Sequence, residues 1–400
     1  MMLHRRQLIL SVAAASLLAA CGESHGLDHP DEAVEVPEPE ALAAAVELAR
    51  AETGLAGLAV LVGQSGEILE GAAAGLRARG QDASVTIRDR WHIGSCTKSM
   101  TATLLARYVE RGLVSWDSTV AEMLPELAAG MDSQAATITL THLLTATAGL
   151  PEYPSFAESE EQLVADIMQI ASDAPTVAAQ RLLVAERMLS RPPLTVPGAE
   201  FVYCSTGFII AGAIAERLGG ESYETLLAQE VLSPLGITEF GFGAPGSDAV
   251  LDQPRGHLDS DPDTAVLPSS SNADNPAYFA PAGGLNITLG DWAVYAFEHA
   301  RGETGDGQLL SPETYTQLHT PAIEGGIYAF GWGVLVQDGS HLLLTHNGSN
   351  GAWFADLRIY PQSGFVYLMA SNDGREELVK QAFRSVRTNL DTRLAPLPAD

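Results

Sequence analysis

The chain has 400 residues, 46% hydrophobic and 18% charged, enough to bury a large core in one domain or two intimate ones. A formal net charge of −28 excludes nucleic acid and anionic membrane surfaces as electrostatic partners. Lys98 and Lys380 are the two lysines among 22 basic residues. Lysine, unlike arginine, can serve as a cation that gives up its proton when buried.

In chain order, His4, Arg5 and Arg6 precede the apolar run Leu8 to Ala20. That run is too short for a permanent membrane span, which takes about 20 residues, and residues 1–20 read as an export signal. Ala19-Ala20 ahead of Cys21-Gly22 reads as a lipobox, with Cys21 the lipidated first residue of an exported, periplasm-facing cell-envelope lipoprotein. An ordinary signal peptide with a chance cysteine is the alternative. Residues 21–40 are rich in proline and acid and read as a solvated tether.

Residues 41–51 carry a helical pattern that Gly54 ends. Residues 55–62 and 68–73 read as strands joined by the turn Gly63-Gln64-Ser65-Gly66. At the other end, residues 342–346, 352–360 and 365–371 read as strands, and 376–390 as a last helix. Between these ends lie mostly helical patterns and Pro/Gly loops. The pattern predicts an α+β fold: an antiparallel sheet from residues 41–92 and 286–400, flanked by N- and C-terminal helices, with a mostly helical region, 93–285, inserted.

Three short motifs carry chemistry. In Ser95-Cys96-Thr97-Lys98, a lysine one turn from a serine can activate it for acyl transfer. Met100, Leu104, Leu105, Tyr108 and Val109 recur at helical spacing, so Ser95 falls at a helix N-terminus where the dipole favours an oxyanion. Ser95 as a plain N-cap is the structural alternative. Tyr203-Cys204-Ser205 precedes a second apolar helix, and His346-Asn347-Gly348-Ser349 adjoins a predicted strand.

In this order the motifs resemble those of the serine β-lactamase-related hydrolases: class C β-lactamases, D-Ala-D-Ala carboxypeptidases, D-aminopeptidases and β-lactamase-like esterases. Pro281-Ala282-Gly283-Gly284-Leu285 and Phe330-Gly331-Trp332-Gly333 add to the likeness, which runs from about Ala41 to the last helix. The resemblance implies a β-lactamase/penicillin-binding-protein-like fold and an acyl-enzyme on Ser95, with Lys98 or Tyr203 as general base. It also implies an oxyanion hole from the N–H groups of Ser95 and Ser349 beside Gly348, with Ser205 and His346 contacting substrate. No cofactor is implied, and the partner is a small-molecule or peptide substrate.

Two positions depart from the β-lactamase pattern. Ser205 stands where that pattern has asparagine and offers one donor instead of two. His346 stands where it has lysine, and a histidine holds a carboxylate less firmly as pH rises through its pKa. Both favour a short ester or D-amino-acid peptide over a β-lactam. A catalytically weak module that binds wall peptides or a partner, and a class C-like β-lactamase, are the alternatives. The histidines show no metal-binding spacing, and neither Gly-x-Ser-x-Gly nor a phosphate loop occurs. Cys96 and Cys204 each follow a motif residue; a disulfide and two free buried thiols are both open.

Overall fold

The computed structural model describes residues 34–152, 169–170 and 172–394. The predicted signal, Cys21 and most of the tether lie outside the described residues. Pro39 precedes α1 (Glu40–Thr53), which opens with Glu40 favourably placed in its first turn and closes at Gly54 with φ 64°. The chain then forms β1 (Gly57–Gln64), β2 (Glu67–Gly75) and β3 (Arg90–His92), and enters α2 (Thr97–Glu110). Helices Val177–Leu189 and Thr206–Gly219 follow, then the short strands β4 (Phe240–Phe242), β5 (His257–Leu258), β6 (Asp261–Ala265) and β7 (Leu285–Thr288). Helix Leu289–Arg301 leads to β8 (Gly333–Gln337), β9 (Ser340–Ser349), β10 (Phe354–Tyr360) and β11 (Phe365–Ser371), and helix Glu376–Arg393 follows them.

The main sheet is six-stranded, in the order β2-β1-β11-β10-β9-β8, with antiparallel neighbours throughout. β1 is buried from Gly57 to Gly63 because both of its faces are covered. Successive side chains alternate between two cores, as the twofold period of a strand requires. Leu58, Val60 and Val62 meet Leu42 and Val46 of α1 and Val379, Phe383 and Val386 of the C-terminal helix. Ala59 and Leu61 face the larger core with Trp292, Leu357 and Leu368.

Two boundaries differ from the sequence pattern. β3 leaves the main sheet and pairs with β7, which also pairs with β4, in a separate three-stranded sheet. β9 runs on through His346 to Ser349, because Ser349 stays in register opposite Phe354 of β10. The third motif is therefore a strand segment. α2 is buried over its first ten residues, Thr97 to Ala106, and carries Lys98 through the larger core. Its polar side chains are satisfied inside: Thr101 Oγ1 donates to Pro281 O at 2.7 Å and Thr103 Oγ1 to Ser99 O at 3.0 Å. The buried guanidinium of Arg181 ties helix Val177–Leu189 to Glu216 and Glu224.

Candidate active site

Ser95 sits in the 3-10 turn Gly94–Cys96 immediately ahead of α2. It is not a helix cap: the N-cap is Cys96, and no side chain caps there. The Ser95 hydroxyl lies 2.9 Å from Lys98 Nζ, which also donates to Ala282 O at 2.8 Å and reaches Ser205 Oγ at 3.3 Å. Lys98 is fully buried, and burial lowers its pKa to about 8, against the opposing pull of nearby acidic groups, Glu152 first.

Tyr203 closes the other side of Ser95. The residue is 44% exposed, but its hydroxyl end is drawn inward towards the Ser95 side chain. Burial of that end raises its pKa above the usual tyrosine value, and the nearby Ser95 side chain offsets only part of the rise. Lys98 Nζ lies 5.2 Å from the Tyr203 ring centroid. The hydroxyl, the amine and the phenol thus converge around Ser95.

Two glycines let β9 press against the turn that carries Ser95. A Cβ on Gly94, whose φ is +50°, would lie 2.5 Å from Ser349 N; one on Gly348 would lie 2.6 Å from Ser95 N and 2.0 Å from Ile93 O. Only bare backbone allows this approach, and it brings the N–H groups of Ser95 and Ser349 together. The Cys96 thiol adds a tie by donating to His346 O at 3.3 Å. Cys96 and Cys204 are both free and buried, so no disulfide joins them. Burial pushes the Cys96 thiol well up and Cys204 to about 11, which leaves both protonated at neutral pH.

His346 corrects an expectation. Its Nδ1 lies 2.5 Å from Asn347 O and its Nε2 3.3 Å from the Tyr328 hydroxyl. A carbonyl only accepts, so Nδ1 carries the proton and Nε2 accepts from Tyr328. Burial, reinforced by the Lys98 charge, lowers the His346 pKa to about 3. The ring is neutral across the working range, and the expected weakening of carboxylate binding around a histidine pKa near neutrality does not arise.

The cleft in front of Ser95 has a volume of about 520 Å³ and is walled by Tyr203, Tyr328, His346, Ser349, Phe354 and Glu376. A family model described as Beta-lactamase matches residues 42–388. The chain belongs to the Beta-lactamase family of serine hydrolases. It is 28% identical to Penicillin-binding protein 4 of Amycolatopsis lactamdurans over 81% of this chain and 83% of that protein. It is 31% identical to esterase EstB of Burkholderia gladioli over 48% of each. The octameric penicillin-binding protein homologue of Pyrococcus abyssi superposes with a TM-score of 0.69 at 22% identity, covering 89% of this chain and 77% of that one. The α+β architecture is accordingly the β-lactamase/penicillin-binding-protein-like fold.

Within this Beta-lactamase-family site, four residues carried no legible signal in the sequence. Glu152 accepts a hydrogen bond from Ser205 N and lies close enough to Lys98 to act on its charge. Tyr328 holds His346 and packs edge-on to Tyr203, with centroids 5.8 Å apart. His92 Nδ1 accepts from Gly94 N at 3.2 Å, which leaves Nε2–H to donate to Asp274 at 2.9 Å. Asp274 also accepts from Asn350 at 3.0 Å, so it links the Ser95 turn to the end of β9.

Proposed function

We propose that this chain hydrolyses an uncharged acyl donor, a short ester first, through an acyl-enzyme on Ser95. The carrying observation is the cleft wall: Tyr203, Tyr328, His346 and Phe354 are uncharged, Lys98 sits behind Ser95, and the neighbouring Lys380 is already paired with the Glu376 carboxylate at 2.5 Å. A donor bearing a carboxylate finds neutral His346 where the β-lactamases have lysine.

In the proposed mechanism, neutral Lys98 accepts the Ser95 proton as Oγ attacks the acyl carbon. The N–H groups of Ser95 and Ser349 receive the developing oxyanion. Tyr203, kept protonated by burial, passes its proton to the leaving oxygen and is restored from the Lys98 ammonium. Water then releases the acyl group by the same path in reverse. A second reading is an amide donor with a free amine such as a D-amino-acid amide, whose amine would compete with Lys380 for the Glu376 carboxylate.

A panel of short-chain p-nitrophenyl esters, D-amino-acid amides and nitrocefin tests these readings. Esters should exceed nitrocefin in kcat/KM by roughly 10–100-fold, the equivalent of one missing charge-assisted hydrogen bond, and Ser95→Ala should abolish all turnover. Nitrocefin outpacing every ester would return the chain to the β-lactamases. No turnover and no fluorophosphonate label on Ser95 would favour a binding module.

Export with lipidation at Cys21 is proposed on the lipobox alone. Expressed with its leader, the protein should fractionate with membranes, and Cys21→Ala should move it to the soluble fraction. A wild-type chain already soluble would refute the anchor.

A further inference from the structure

Away from the cleft, three residues distant in sequence meet at one point. Glu303 lies in the turn Gly302–Asp306 after helix Leu289–Arg301, His319 ends the helix Pro312–His319, and His341 is the second residue of β9. The Glu303 carboxylate lies 2.5 Å from His319 Nδ1 and 2.8 Å from His341 Nδ1. One ligand-type atom from each residue lies within 4.8 Å of the other two. We propose that Glu303, His319 and His341 bind a divalent transition-metal ion, zinc by preference, as three protein ligands with water in the fourth position, at a site separate from the catalytic serine.

The donor set suits that ion. Two imidazoles and one carboxylate are a zinc set, and ligand distances of about 2.0–2.2 Å in a tetrahedron place the donors roughly 3.4 Å apart. Side-chain shifts of less than about 1 Å convert the present contacts into that spacing. His319 and His341 are buried, whereas the Glu303 side chain is 24% exposed and gives access from the surface.

The outer contacts fit as well. His319 Nε2 lies 2.9 Å from His299 Nδ1, and His299 Nε2 lies 3.2 Å from Thr103 Oγ1. When Nδ1 of His319 takes the metal, its Nε2–H donates to His299, whose own Nε2–H donates to Thr103. The Thr103 hydroxyl in turn donates to Ser99 O at 3.0 Å. Every proton in the chain then has an acceptor, and the ligand tautomer is fixed by its outer partner, as metal-binding histidines require. The ion would pin helix Leu289–Arg301, helix Pro312–His319 and β9 together.

Untagged full-length protein stripped with EDTA provides the test. Calorimetric titration with Zn²⁺ should give one site per chain, with the thermal midpoint rising with zinc concentration. Co²⁺ should give the intense visible bands of a four-coordinate ion. Losing an outer partner costs ~10–100-fold in affinity, so His341→Gln, which removes a ligand, should lose at least about 100-fold. Glu303→Gln, on a partly exposed turn, should do the same without a folding penalty in the buried helices. Ester turnover by both variants should stay at the wild-type level, since neither residue lines the cleft. No saturable binding by the wild type at millimolar zinc, or wild-type affinity in both variants, overturns the proposal.

Discussion

Replacing Lys98 with arginine is expected to lower kcat/KM for ester hydrolysis by roughly 10³-fold, within the range set by loss of a general base. The substitution keeps a positive charge next to Ser95 but removes the group able to accept its proton. The proposed mechanism takes Lys98 as the base of the pair because burial moves its pKa to about 8, whereas burial moves Tyr203 further from neutrality. The sign of the pH dependence follows. Lys98 acts only when neutral, so kcat/KM should rise about tenfold per pH unit below 8 and level off above it. Arginine is also larger than the buried space Lys98 fills, and overpacking of about 1–3 kcal/mol should lower the thermal midpoint without unfolding the protein. Lys98→Met, neutral and close to isosteric, separates the explanations. If both variants are inactive, the proton-accepting role stands. If arginine retains near-normal turnover while methionine is dead, Lys98 serves as a charge.

The elements that proved legible are those whose burial repeats along the chain. β1 and β11 are apolar on both faces, and the hairpin between β10 and β11 is marked by the Pro361-Gln362-Ser363-Gly364 turn. The supporting glycine-rich stretches also acquire a physical meaning. Gly331, at φ +77°, lets its loop approach the α2 backbone, since an added Cβ would lie 2.6 Å from Ser99 N. Ala282, in the other stretch, supplies the carbonyl that holds Lys98. The partners of β3 were not legible, because three residues show no alternation that chooses between sheets. Tyr328, Glu152, His92 and Asp274 were hidden for a related reason: each acts through one side chain from a loop or short strand, and a single polar residue there has no period.

His346 shows where residue chemistry alone misleads. The side chain has the type expected at the motif, but its Nδ1–H is spent on the neighbouring carbonyl and its Nε2 on Tyr328. A histidine so buried and so paired is a neutral hydrogen-bonding wall. The zinc candidates illustrate the converse, since positions 303, 319 and 341 show no motif spacing and acquire a common geometry only through the packing of a turn, a helix end and a strand.

Gly348→Ala is expected to cut kcat by about 10²–10³-fold, the loss associated with one oxyanion-hole donor, with a much smaller change in KM. The added Cβ would stand 2.0 Å from Ile93 O, 2.6 Å from Ser95 N and 2.9 Å from Gly94 C. All three are backbone atoms, so no flexible side chain can yield. β9 must instead retreat from the nucleophile turn, carrying Ser349 N with it. Its partner β10 limits that retreat, because Gly348 and Ser349 are in register with Ala355 and Phe354. The strain therefore falls on the distance between the two N–H groups. Gly339→Ala is the control: with φ +76° and nothing within 4 Å of the added carbon, it should destabilise by about 1 kcal/mol through backbone strain and leave kcat unchanged. Turnover and the rate of fluorophosphonate labelling, measured beside thermal denaturation, distinguish the two. A folded Gly348→Ala enzyme with wild-type kcat would remove Ser349 N from the transition state and leave the oxyanion to other donors.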